Sequence, residues 1–136
     1  MDFEAVKPKI AELAKRYGLT LVVLFGSQVT GKTQRESDVD VAYMSERKLS
    51  FDDEAFLNFN LTEIFHNDKV SLVNMKAASP LLLKQVVTNA VVLHERTPHL
   101  FVEMFLYGLR IYEEAQPIFE LRDAYLTRRL NEYKHA

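Results

Sequence analysis

Leu21 to Tyr43 reads LVVLFGSQVTGKTQRESDVDVAY, and this stretch decides the fold. Two phosphate-handling patterns begin at its Gly26. The first, Gly26-Ser27-Gln28-Val29-Thr30-Gly31-Lys32-Thr33, satisfies the P-loop pattern G-x4-G-K-[ST]. The second is Gly26-Ser27, then ten residues, then Asp38-Val39-Asp40. The two share residues and demand different folds. A P-loop needs a helix directly after the glycine-rich turn, with its N-terminus facing the phosphates. Here that helix would run from about Lys32 to Tyr43. Instead Asp38 to Met44 alternates with period two: Asp38, Asp40 and Ala42 on one side, Val39, Val41 and Tyr43 on the other. That is a strand. Only the four residues Gln34 to Ser37 lie between Thr33 and Asp38. A parallel crossover needs a dozen or more. No apolar strand ending in Asp stands ready as a Walker B element.

The short link suits two antiparallel neighbouring strands. Asp38 and Asp40, two apart on a strand, then project from one face, where they can share divalent metal ions. Mg²⁺ prefers carboxylate and phosphate oxygens, and it neutralises a triphosphate. Gly26 admits close approach of the backbone to a phosphate. Ser27 adds a hydroxyl and a backbone N–H, and Lys32 and Arg35 lie where they can reach a triphosphate.

Outward from this stretch, residues 7–17 have helical spacing (Ile10, Leu13, Ala14, Tyr17), with Gly18 as a stop. Leu19–Phe25 is a continuous apolar run, a buried strand. Ser50-Phe51-Asp52-Asp53 opens a helix with a capping box and should end near His66–Asn67. Lys69–Met75 forms a third strand. Ser79-Pro80 supplies a cap and an N1 proline for the next helix, and Val91–His94 a short fourth strand. Thr97-Pro98 repeats that device and opens a helical tail to about Tyr133, with Pro117 expected to kink or split it. The expected fold is α/β (α+β): a small mixed sheet of about four strands with flanking helices and a long C-terminal helical tail. The chain is expected to form one domain over 1–136, with about 97–134 as a tail and a possible partner-binding surface.

The chain has 136 residues, 48% of them hydrophobic and 26% charged, with net charge −2. That is an ordinary globular balance, without the basic field that nucleic acid or an anionic membrane attracts. There is no cysteine, so disulfides and Cys-based zinc sites are excluded. No signal-like h-region and no run approaching a membrane span is visible, so cytoplasm is the expected compartment and no membrane contact is expected. The four histidines have no metal-ligand spacing.

The residues Leu24-Phe25-Gly26-Ser27, the ten-residue gap and Ser37-Asp38-Val39-Asp40-Val41-Ala42 resemble the minimal nucleotidyltransferase (MNT) family of the polymerase-β-like superfamily. Residues 70–95, VSLVNMKAASPLLLKQVVTNAVVLHE, and the tail at 112–130 are similar to the rest of that fold. The resemblance implies an antitoxin of a HEPN/MNT pair. It would transfer AMP from ATP, with Mg²⁺, to a hydroxyl (tyrosine above all) of a HEPN-domain RNase toxin. Gly26, Ser27, Lys32 and Arg35 would bind nucleotide, and Asp38 and Asp40 would bind metal. Nucleic acid is not an expected direct ligand, and the C-terminal helices could support a homo- or hetero-oligomer.

One position departs from the family pattern. The third strand of the family reads V-D-L-V, and its aspartate is the third catalytic carboxylate. This chain reads Val70-Ser71-Leu72-Val73. A serine is no base at neutral pH, and loss of a general base costs about 10²–10⁴-fold. Asp68 is the first candidate substitute, although strand parity points it with Val70 and Leu72, opposite to Ser71, and Glu63 and Glu95 are weaker candidates. The alternative expectation is therefore an impaired relative that neutralises its partner by binding alone. Below it stands a small-molecule nucleotidyltransferase.

Overall fold

The computed structural model describes residues 2–26, 29 and 38–135. Helix α1 spans Phe3–Tyr17, longer at its start than expected. Asp2 caps it, accepting from the amides of Glu4 (3.1 Å) and Ala5 (3.3 Å). Pro8 lies inside α1 rather than at its first position. The carbonyl it leaves without a donor belongs to exposed Glu4, where water can serve it. Gly18 ends α1 in the left-handed region, at φ +69, as its place after Tyr17 suggests.

Strands β1 (Leu19–Phe25) and β2 (Val39–Ser45) follow. The capping box forms: Asp53 N–H donates to Ser50 Oγ (3.0 Å) and Ser50 N–H to Asp53 Oδ2 (3.2 Å). It opens α2, Phe51–Phe65. Strand β3 spans Val70–Asn74 and leads into a 3₁₀ turn, Met75–Ala77. Ser79 caps α3, Pro80–Thr88, with Pro80 in its first turn. Strand β4 is Val91–Glu95.

Helix α4 runs Leu100–Lys134 and differs from expectation in two ways. Thr97-Pro98 does not start it. His99 stands at the N-cap in the left-handed region without a side-chain cap, and Glu95 Oε2 of β4 accepts from Phe101 N–H (2.8 Å). A carboxylate from a neighbouring strand thus replaces the local hydroxyl. Pro117 does not split α4, which continues through it.

Among the described residues the sheet has four strands in the order β3-β2-β1-β4. β1 is antiparallel to both β2 and β4, while β2 and β3 are parallel, joined through α2. The antiparallel β1–β2 pair removes the geometry a P-loop requires. Each face of the sheet carries its own core. Val39, Val41 and Tyr43 of β2 pack with Ile10 and Leu13 of α1 and Leu57 and Leu61 of α2. On the other face Leu21, Val23 and Ala42 pack with Leu83, Val86 and Val87 of α3, and Phe101, Met104 and Phe105 of α4 lie against them. The first turns of the C-terminal tail therefore cover this chain's own sheet and α3. α4 would be roughly 52 Å long at 1.5 Å per residue. Every residue from 120 to 135 is exposed.

Candidate functional site

The site forms where β1 ends and β2 and β3 begin. Register places Phe25 of β1 opposite Asp40 of β2, and Asp40 beside Ser71 of β3. Residues in register on adjacent strands point to the same face, about 4.8 Å apart. Asp40 and Ser71 are thus direct neighbours. Asp38 precedes β2 by one residue and is exposed, while Asp40 is half-buried.

Gly26 closes this corner. Its φ is +81, and a turn bond from Val29 N–H to Gly26 O (3.1 Å) carries the chain away from β1. A Cβ at Gly26 would fall 2.3 Å from Asp40 Oδ2 and 3.2 Å from its Cγ. The glycine is required twice, by its backbone angle and by the carboxylate beside it. The sequence suggested room for a phosphate here. The structure adds that the Asp40 carboxylate occupies the space next to the glycine.

Asp40 has a raised pKa, first because burial disfavours its charge and second because Asp38 repels it. A half-buried carboxylate held near another gains from any cation that replaces the lost water. Among the described residues no group of three or more His, Cys, Asp or Glu side chains is placed to hold a metal. The donor set is two aspartates and an exposed serine. That fits Mg²⁺, which takes one or two carboxylates and completes its shell with phosphate oxygens and water.

The structure brings together Gly26, Asp38, Asp40 and Ser71. Ser27, Lys32 and Arg35 lie outside the described residues. Glu95 is excluded as a substitute carboxylate. It pairs with Leu21, at the opposite end of β1 from Phe25, and its side chain caps α4. Asp68 lies in a bend two residues before β3, so strand parity does not fix its direction.

Two supporting contacts have no sequence signal. Asn58 Nδ2 of α2 donates to Val70 O (2.8 Å), fixing the residue next to Ser71. The Tyr43 hydroxyl of β2 donates to Glu54 of α2, and burial, then that hydrogen bond, raise the tyrosine's pKa. Both bonds span eleven or twelve residues of sequence between two different elements, so local pattern carries no trace of them.

The family described as "Polymerase beta, Nucleotidyltransferase" matches residues 8–99. Among curated proteins none matches the chain in sequence. Several solved structures share the fold. A toxin–antitoxin structure with AMP-PNP is 29% identical at TM-score 0.70, covering 84% of this chain and 95% of that one. A tri-AMPylated Shewanella oneidensis HEPN toxin in complex with MNT antitoxin gives 26% and 0.66, with 87% and 96% covered. A MntA-HepT toxin–antitoxin structure gives 25% and 0.66, with 86% and 96% covered. The glycine turn, the D-x-D pair on β2 and the mixed sheet agree with what these comparisons find: the chain belongs to the polymerase beta nucleotidyltransferase family, and its structural neighbours are MNT antitoxins.

Proposed function

We propose that this chain is the antitoxin of a HEPN/MNT pair and transfers AMP from ATP to a hydroxyl of its RNase toxin. The observation that carries this reading is the corner of Gly26, Asp38 and Asp40, where two carboxylates meet and one of them is held partly out of water. The neighbour with AMP-PNP and the neighbour with an AMPylated toxin support the nucleotide and the acceptor. In this reading Gly26 and Ser27 hold the phosphates, with Lys32 and Arg35 drawn to the triphosphate charge. Mg²⁺ bound by Asp38 and Asp40 supplies charge neutralisation at the phosphates. The acceptor oxygen bonds to the α-phosphorus, the α–β bridging bond breaks, pyrophosphate leaves, and the hydroxyl proton passes to solvent. A phosphate ester on the toxin adds negative charge and bulk that oppose RNA.

Ser71 sets the rate. It stands beside Asp40, where the family places its third carboxylate, and offers no base. Transfer should be slow by about 10²–10⁴-fold against a chain with aspartate there. The same observation favours a second reading, in which the chain neutralises its partner by contact alone. The two separate when the protein is incubated with ATP, Mg²⁺ and a candidate HEPN-domain RNase partner, and that partner is weighed by mass spectrometry. Addition of AMP, lost in Asp38→Ala and Asp40→Ala, upholds transfer. An unmodified but silent toxin upholds contact.

A further inference from the structure

Helix α2 carries a surface that the nucleotide site does not use. Phe51, Phe56 and Phe59 are 86%, 63% and 59% exposed. Leu57, Leu61 and Phe65 are buried against the sheet. At about 100° per residue Phe56 and Phe59 lie across the helix from them, while Phe51, fourteen residues before Phe65, stands on the Phe65 side at the open first turn. Hydrophobic packing of this fold thus accounts for one side of the helix and leaves Phe56 and Phe59 in water on the other, with Phe51 in water at its N-terminal end. At roughly 200 Å² per phenylalanine the three rings expose on the order of 400 Å² within about 12 Å of helix, about 240 Å² of it on the face shared by Phe56 and Phe59. The largest apolar patch on a monomer is about 300–600 Å² and is often functional. The Phe56–Phe59 face would fill about a third of the roughly 800 Å² that each partner contributes to a standard interface.

Charge identifies the occupant. From Ser50 to Asp68 there is no lysine or arginine, against Asp52, Asp53, Glu54, Glu63 and Asp68. Asp53 is paired with Arg47 (3.1 Å) and Glu54 with Tyr43, but Asp52 and Glu63 are exposed among the phenylalanines. A second copy of this chain docking α2 on α2 would set these acids against one another, a repulsive arrangement. The distal part of α4 is also apolar and exposed. It mixes Glu120, Asp123 and Glu132 with Arg122, Arg128, Arg129 and Lys134, so its charge selects no partner.

We infer that the α2 face docks a protein surface that is basic and carries apolar recesses, and that this surface is the RNA-binding groove of the toxin. The inference rests on the proposed antitoxin role for the partner's identity. An RNase must neutralise phosphates with Lys and Arg where it holds RNA. An acidic helix with aromatic anchors competes for that charge, and aromatic residues are the side chains that carry interface energy. Contact would then block RNA whether or not AMP is transferred. β3, which carries Ser71, lies at the sheet edge and is tied to α2 through Asn58. α2 itself covers the face of the sheet opposite Asp40 and Ser71, so a partner seated on it engages a surface separate from the site.

The test measures affinity of the full-length chain for the purified HEPN protein by calorimetry. The triple variant Phe51→Ser, Phe56→Ser, Phe59→Ser should bind at least about a hundredfold more weakly, each anchor being a candidate hot spot. The double reversal Asp52→Lys, Glu63→Lys should weaken binding about tenfold at low salt, and the difference should shrink with added salt. Thermal melting of each variant should match the wild type, because the changed side chains are exposed. Asp38→Asn with Asp40→Asn should lose AMP transfer yet keep wild-type affinity, which separates this surface from the enzymatic reading. Unchanged affinity in the triple variant would sink the inference. A wild-type dimer that the triple variant dissolves would overturn it by naming a second copy as occupant. Failure of the wild type to bind the HEPN protein would remove the antitoxin reading and this one together.

Discussion

Replacing Gly26 by alanine should separate two costs that the structure assigns to different atoms. The first is backbone strain. At φ +81 an L-residue other than glycine is disfavoured by about 1–2 kcal/mol. In a domain of this size that is roughly 3–8 °C in Tm. The second cost falls on the carboxylate. The new methyl would lie 2.3 Å from Asp40 Oδ2, 3.2 Å from Cγ and 3.4 Å from Cβ. Turning the carboxylate about its own bond clears only the oxygen, so the whole Asp40 side chain must swing. It can do so because it is short and half-exposed, so the fold should survive while the arrangement of Asp38 and Asp40 proposed to hold Mg²⁺ does not. Gly26→Ala should therefore melt a few degrees lower and lose Mg²⁺ affinity and AMP transfer by a factor far larger than its stability loss explains. Gly26→Asn is the control. Asparagine tolerates left-handed backbone, so it should recover much of the stability and none of the Mg²⁺ binding. Thermal melting, Mg²⁺ titration and the AMP mass assay read the three quantities. An alanine variant with wild-type Mg²⁺ affinity would refute the contact between Gly26 and Asp40 as the reason for the glycine.

Further expectations concern the neighbouring residues. Ser71→Asp should raise the rate of AMP transfer at least tenfold, measured by the time course of toxin modification, because it returns a carboxylate beside Asp40. An unchanged rate would show that another group already fills the role. Asp40→Asn should raise the Tm of the metal-free protein at pH 7, measured by thermal melting. The sign follows from the raised pKa: the folded chain holds the Asp40 proton more tightly than the unfolded chain. Its contribution is therefore lost as pH rises from the ordinary 3.8 through the raised value. Mg²⁺ should raise the Tm of the wild type and leave that of the variant alone. Tyr43→Phe strips Glu54 of its donor within a partly buried pair and should cost about 1–3 kcal/mol in urea denaturation. A smaller loss would mean that water replaces the hydroxyl.

Local pattern carries most of the scaffold. The strand alternation of Val39 to Met44, the Ser50 capping box, the Ser79-Pro80 start of α3 and the Gly18 stop are short-range devices, and each forms as its residues suggest. The choice between the two patterns at Gly26 was also legible, because the period of the residues after the glycine turn and the length of the link exclude a crossover helix. Ends set by distant atoms were not. α4 starts at Leu100 because Glu95, on a strand, meets Phe101, and nothing near Thr97 announces that.

The same division runs through the site. The sequence alone pointed to Gly26, Asp38 and Asp40 as the candidate residues, since the G-S and D-x-D patterns lie ten residues apart in one short stretch. It also showed that Ser71 stands where a carboxylate is expected. Tertiary structure decided what these residues do to one another. The parallel pairing of β2 with β3 sets Ser71 beside Asp40 across thirty-one positions of sequence. The turn after β1 presses Gly26 onto the Asp40 carboxylate, and burial in that corner raises its pKa. Only the packed fold also tells which apolar helix faces are satisfied. Phe101 and Phe105 share helical periodicity with much of the tail and are covered by the sheet and α3, while three phenylalanines of α2 are left in water. Periodicity records that a face is apolar; what covers it depends on contacts between elements far apart in the chain.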